Sequence, residues 1–169
     1  MIDDLMHIFS IKRECFSYKW DDVEKKMEWK FPSDYKDFVE SFGGGVMNDF
    51  FWVLSPFSIN ENLNLMNKAK EMKEAYLAMK KISPEICRFD FWNGINGLIP
   101  WGITENGDEI YWNMGERQSI VVFSSRYADV YTYNLSMSEF LEELLLRRIE
   151  CPCFPDDFWM GKNQYVHIE

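Results

Sequence analysis

The run Trp101-Gly102-Ile103-Thr104-Glu105-Asn106-Gly107-Asp108-Glu109-Ile110-Tyr111-Trp112 constrains this chain more than any other segment. Asn-Gly between two apolar, alternating arms is the strongest short-range hairpin signal, because a type I′ turn needs positive φ at both central residues. With Asn106 and Gly107 as a two-residue loop, Glu105 faces Asp108, Ile103 faces Ile110 and Trp101 faces Trp112, all on one side of the hairpin. On the other side Gly102 lies across from Tyr111, leaving room for the ring over bare backbone. The Trp and Ile pairs are expected to anchor a core, each cross-strand pair adding about 0.2–1 kcal/mol beyond its burial. Pro100 lacks an N–H to donate, so a sheet boundary is expected on that flank.

Around the hairpin the periodicity alternates between helix and strand. Ile2, Leu5, Met6 and Phe9 form one helical stripe, and Tyr35, Phe38, Val39 and Phe42 form another, opened by Pro32 and stopped by Gly43. Asp21 with Glu24 resembles a capping arrangement for a short helix between these two. Phe50-Phe51-Trp52-Val53-Leu54 reads as a buried strand bounded by Pro56, and residues 60–82 read as the longest helix. In that helix Leu65, Ala69, Met72, Tyr76 and Met79 form a stripe too short for a coiled coil and suited to packing on the protein's own sheet. Two further strands are expected over 119–123 and 130–133. Ser136-Met137-Ser138-Glu139 is a capping box that opens a last helix, with Arg147 and Arg148 at its negative end. Residues 149–169 cannot continue that helix past Cys151-Pro152-Cys153, and Phe158 with Trp159 marks a tail that docks. No repeat or low-complexity run divides the 169 residues. A single α+β domain is expected over 1–169, with one core burying roughly 70% of the unfolded chain's surface.

Composition narrows the function classes. With 47% apolar residues the chain is not disordered throughout, and a formal net charge of -10 argues against a phosphate-backbone binder. It permits a basic protein partner. The acid is unevenly placed: residues 61–90 carry 6 basic and 5 acidic groups, whereas 91–118 carry 1 and 4. Glu105, Asp108, Glu109 and Glu116 thus cluster on the hairpin segment, which also suits a solvated edge that resists aggregation. Met1-Ile2-Asp3-Asp4 carries acid where a signal peptide carries base, and no apolar run reaches 18 residues, so a cytoplasmic protein is expected.

Site chemistry is sparse. Cys15, Cys87, Cys151 and Cys153 show no metal-binding spacing and His7 and His167 lie near opposite ends, so no metal and no cofactor are expected, and reduced thiols are. Gly43-Gly44-Gly45 follows a helix and lacks the Lys-Ser/Thr of a phosphate loop. Glu105 facing Asp108 could serve a carbohydrate-active enzyme or binding protein, but acid catalysis needs one carboxyl raised in a dry pocket, which a hairpin turn does not supply.

Phe31-Pro32-Ser33-Asp34-Tyr35-Lys36-Asp37-Phe38, ending in Gly43-Gly44-Gly45, resembles the "LPxDYxxFLxxxNGG" opening of the SUKH superfamily, which includes the fungal glucan-synthesis and cell-wall-assembly regulators. Leu98 to Thr104, Asn106-Gly107-Asp108 and Tyr111-Trp112 resemble its "IPWGxTxxGDxxxW" hairpin, and Ile120-Val121-Val122-Phe123 with the helix over 136–145 resembles its ending. The likeness covers most of 21–148 in order. Phe42 departs from the Asn common at that position, the long helix is an insertion, and the tail beyond Ile149 matches nothing. The resemblance implies an α+β fold of helices packed on a curved, mostly antiparallel sheet, and no enzymatic activity. Its bacterial members bind and neutralise a cognate toxin, often a nuclease. An immunity protein acting on a basic toxin is therefore expected, as a monomer or weak homodimer, and a regulatory scaffold for endogenous partners is the alternative. Exposed aromatics flanked by acid would anchor the partner: Trp92, Tyr111 and Tyr131, beside Glu105, Asp108 and Glu109.

Overall fold

The computed structural model describes residues 2–12 and 15–168. Helices α1 (Ile2–Phe9), α2 (Trp20–Met27) and α3 (Ser33–Phe42) come first, then strands β1 (Gly45–Met47) and β2 (Phe51–Val53) and the long helix α4 (Leu65–Ile82). Strands β3 (Gly97–Thr104), β4 (Glu109–Met114), β5 (Ser119–Ser124) and β6 (Asp129–Tyr133) form a meander, followed by α5 (Met137–Leu145), a short 3₁₀ turn and β7 (Tyr165–His167). The seven strands make one open antiparallel sheet in the order β6-β5-β4-β3-β2-β1-β7. This is the expected α+β architecture. The docked tail supplies β7, an edge strand that no periodicity in the sequence signals.

Helices α1, α3 and α5 pack together on one side of the sheet. Trp112 stacks on Trp101 (5.7 Å between centroids) and meets Tyr35 of α3 edge-on at 4.8 Å, while Phe140 of α5 meets Trp101. Side chains alternate along β4, so Tyr111 points to the other side, where Tyr76 of α4 covers it and Phe123.

The hairpin closes differently from the two-residue expectation. Thr104 N–H donates to the Asp108 carbonyl (2.9 Å) and Gly107 N–H to the Thr104 carbonyl (2.9 Å), so the loop is Glu105-Asn106-Gly107. Only Gly107 takes a positive φ, 81°, the pattern of a type I turn followed by a left-handed residue. The longer loop slips the register by one: Ile103 pairs with Glu109 and Gly102 with Ile110. A bulge at Trp101 then slips it by one more in the same direction, so that Pro100 pairs with Tyr111 and Ile99 with Trp112. The Trp pair stays in the core because of the bulge. Ile103 does not; the slip moves it to the α4 side, half-buried. Gly102 accommodates Phe51, not Tyr111, since a Cβ there would sit 2.6 Å from the Phe51 ring. The neighbouring strand β2 reaches only Gly102–Thr104, leaving Pro100 beyond its end, as expected.

Two helix starts also differ. Asn64 caps α4, its side chain accepting from the backbone N–H of Met66 and Asn67, so the helix begins five residues later than expected and is basic, with five lysines and two glutamates. The Asp21/Glu24 capping arrangement does not form. Glu24 turns inward, buried, and takes ion pairs from Lys30 and Lys36 and the backbone N–H of Phe31. Desolvation would raise its pKa, but these contacts outweigh it and hold the carboxyl at about 2. Because the folded pKa lies below the unfolded one, the stabilisation is present above about pH 4.5 and is lost as pH falls towards 2. Glu24→Gln is expected to cost about 2 kcal/mol at neutral pH, with Lys30 free to resolvate. In acid the variant and the parent should converge, which chemical denaturation at pH 7 and pH 3 measures. The Ser136–Glu139 capping box forms as expected, and Asp34 of α3 accepts from the Ser138 N–H and so ties α3 to α5.

Candidate functional site: an apolar row across the sheet

The strand registers align one residue from each strand: Val166, Val46, Trp52, Ile103, Glu109, Phe123 and Val130, in order from β7 to β6. All point to the α4 side. In the next row back Tyr111 and Val121 are fully buried, Tyr111 beneath Tyr76 of α4, while Thr132 at the edge is exposed. The row itself lies at the helix's margin: Val46 and Phe123 are buried, Trp52, Ile103, Glu109 and Val130 are half-buried, and Val166 is 47% exposed. The row is thus a line of mostly apolar side chains across the sheet, with Glu109 within it.

Two carboxylates mark this row. Glu105, exposed at the loop, accepts a hydrogen bond from Trp52 Nε1 at 3.1 Å, which orients the indole along the sheet. Glu109 lies within the row and accepts from the Tyr111 hydroxyl. Burial pushes its carboxyl up to about 7, the Tyr111 hydrogen bond pulling the other way. Among the described residues neither Glu105 nor Glu109 has an ion-pair partner.

The six residues expected to bind a partner do not converge. Glu105 and Glu109 belong to the row. Tyr111 is not an exposed anchor: it sits in the core under Tyr76 and Phe91. Asp108 is not part of an acidic surface either. It is 1% exposed and accepts from Thr104 Oγ1 (2.7 Å) and the Ser125 N–H (3.0 Å), pinning the β3–β4 loop to the β5–β6 turn. Asp108→Ala strands these donors and should cost about 2–3 kcal/mol of stability, read as a lowered denaturation midpoint, with Asp108→Asn costing less. Its inward turn also removes the Glu105–Asp108 pair on which a carbohydrate reading rested. Tyr131 lies half-buried on the α5 side of edge strand β6, since its partner Val122 faces away from Phe123. Trp92, between α4 and β3, donates Nε1 to the Glu28 carbonyl at 3.1 Å beside α2. Glu116, in the β4–β5 turn, is at the far end of the hairpin from Glu105.

Residues 18–141 match the SUKH_6 family, SMI1-KNR4 cell-wall. The chain belongs to this family. No curated protein and no solved structure is similar enough to the chain to match it. The family match ends inside α5, so this SUKH_6 chain carries Cys151, Cys153 and the β7 edge strand outside the matched region. Among its described residues no cluster of three or more His, Cys, Asp or Glu could hold a metal ion, and no helix is long and apolar enough to cross a membrane.

Proposed function

We propose that this SUKH_6 protein is a non-enzymatic binding protein that neutralises a basic toxin by direct contact through the Val166-to-Val130 row. The observation that carries the reading is the pair Glu105 and Glu109, which have no ion-pair partner among the described residues, beside a half-buried Trp52 and Ile103. A lysine or arginine from the partner, its stem over the Trp52 ring and its charge between the two carboxylates, satisfies both the apolar and the acidic part of the surface. The net charge of -10 steers a basic partner towards the protein. The resemblance to toxin-neutralising members of the superfamily supplies the partner class. A regulatory scaffold for endogenous wall-synthesis proteins is the second reading, favoured by the cell-wall description of the family.

Co-expression with the toxin encoded beside this gene separates the two. Rescue of growth and a co-purifying complex are expected; neither appearing would end the immunity reading. The complex should also be pH-dependent. A cation beside Glu109 drives its proton off, so binding releases a proton near pH 7 and affinity falls as pH is lowered from about 8 to 6, by up to about tenfold per unit. Glu109→Gln removes that dependence in isothermal titration.

A further inference from the structure

Cys151 and Cys153 lie outside the row and take no part in the proposed binding. They sit in one reverse turn, Cys151-Pro152-Cys153-Phe154, closed by the Phe154 N–H on the Cys151 carbonyl at 3.0 Å. Pro152 stiffens the turn at its second position. A reverse turn brings its first and third Cα atoms within the roughly 4.4–6.8 Å that disulfides span. Both side chains are buried, and Cys151 lines a groove of about 370 Å³ with Ile149, Phe154 and Trp159. Cys151 lines this groove and Cys153, which faces the Ser124 side, does not.

We infer that Cys151 and Cys153 are a peroxide-oxidisable dithiol, Cys151 the attacking thiol and Cys153 the resolving one. Their electrostatics agree with that division. The Cys153 thiol stabilises a negative charge on Cys151 and lowers its pKa against the effect of burial, whereas Cys151 and burial together push Cys153 up. The Cys151 thiolate attacks one oxygen of hydrogen peroxide; the O–O bond breaks, the other oxygen leaves as hydroxide and takes up a proton to become water, and a sulfenic acid remains. The Cys153 sulfur then attacks the sulfenic sulfur. The S–O bond breaks, a second water leaves with the Cys153 proton, and an S–S bond remains. Overall two thiols lose two electrons and two protons, and one peroxide is reduced to two waters.

The test treats the full chain with hydrogen peroxide, alkylates the remaining thiols and digests it for mass spectrometry. The peptide carrying both cysteines is expected to lose about 2 Da and escape alkylation, and to regain both thiols in dithiothreitol, while Cys15 and Cys87 remain alkylated. In Cys153→Ser the same treatment should leave a sulfenic acid on Cys151 that dimedone captures. Cys151→Ser should leave Cys153 a free thiol. Four unchanged thiols in the parent chain would overturn the inference, and so would over-oxidation of Cys151 beside an intact Cys153 thiol. The parent-chain result needs no variant to fold.

Discussion

Trp112→Ala is expected to lower the unfolding free energy by about 3–5 kcal/mol, a large share of the roughly 5–15 kcal/mol that holds a domain together. Trp112 sits where the sheet meets α3, stacked on Trp101 and edge-on to Tyr35, and it is fully buried. Removing the ring opens a cavity whose walls, strands on one side and α3 on the other, are backbone-anchored and relax little. Trp112→Phe separates ring packing from polarity. The Trp112 indole N–H is buried with no hydrogen-bond partner among the described residues, so exchanging it for Phe loses contact area but also removes an unpaired donor. The Phe variant should therefore cost far less, about 1 kcal/mol. Guanidinium denaturation of the two variants checks this. Equal losses would mean that a smaller aromatic ring recovers none of the packing, contradicting the expected order.

Much of the scaffold was legible in the sequence because its signals are local. The stripes of α1 and α3, the Ser136–Glu139 box and the alternating strands 119–123 and 130–133 each depend on residues a few positions apart. The hairpin shows where locality ends. Asn106-Gly107 announces a turn, but the choice between a two- and a three-residue loop depends on Asp108, which turns inward to bond Ser125 from the next turn, 17 residues on. That choice shifts the register by one, and with it the facing of Ile103. The bulge at Trp101 then hides the shift from the core. The site was less legible for the same reason. Trp52 alternates with Phe51 and Val53, which already sets it apart from the core side. Its neighbours in the row, however, come from strands far apart in sequence, and Val166 comes from a tail whose role as an edge strand no short-range pattern shows. Alternation sets Tyr111 opposite Trp112, away from the α3 and α5 side, and so suggests an exposed ring. What the alternation leaves out is that α4 lies over that side.

The second large effect concerns binding. Trp52→Ala removes a half-buried ring on the α4 side of the sheet whose Nε1 bonds the exposed Glu105, so the fold loses little. A partner that seats a basic side chain on that ring loses the cation–π contact, the apolar cover and the orientation of Glu105 together. A hot-spot aromatic of this kind is worth at least about 2 kcal/mol, or roughly 30-fold in Kd. Glu105→Lys adds like-charge repulsion and should act mainly on the association rate, with a weaker salt dependence than the parent.

The most direct measurement is the Kd of the toxin complex for three proteins side by side: the parent, Trp52→Ala and Trp92→Ala. Trp92 is also a half-buried surface tryptophan, but it sits beside α2 and outside the row. A loss of about 30-fold or more for Trp52→Ala, with Trp92→Ala within about twofold of the parent, is the result expected if the row is the binding face. Unchanged affinity in Trp52→Ala, or a loss confined to Trp92→Ala, would contradict it.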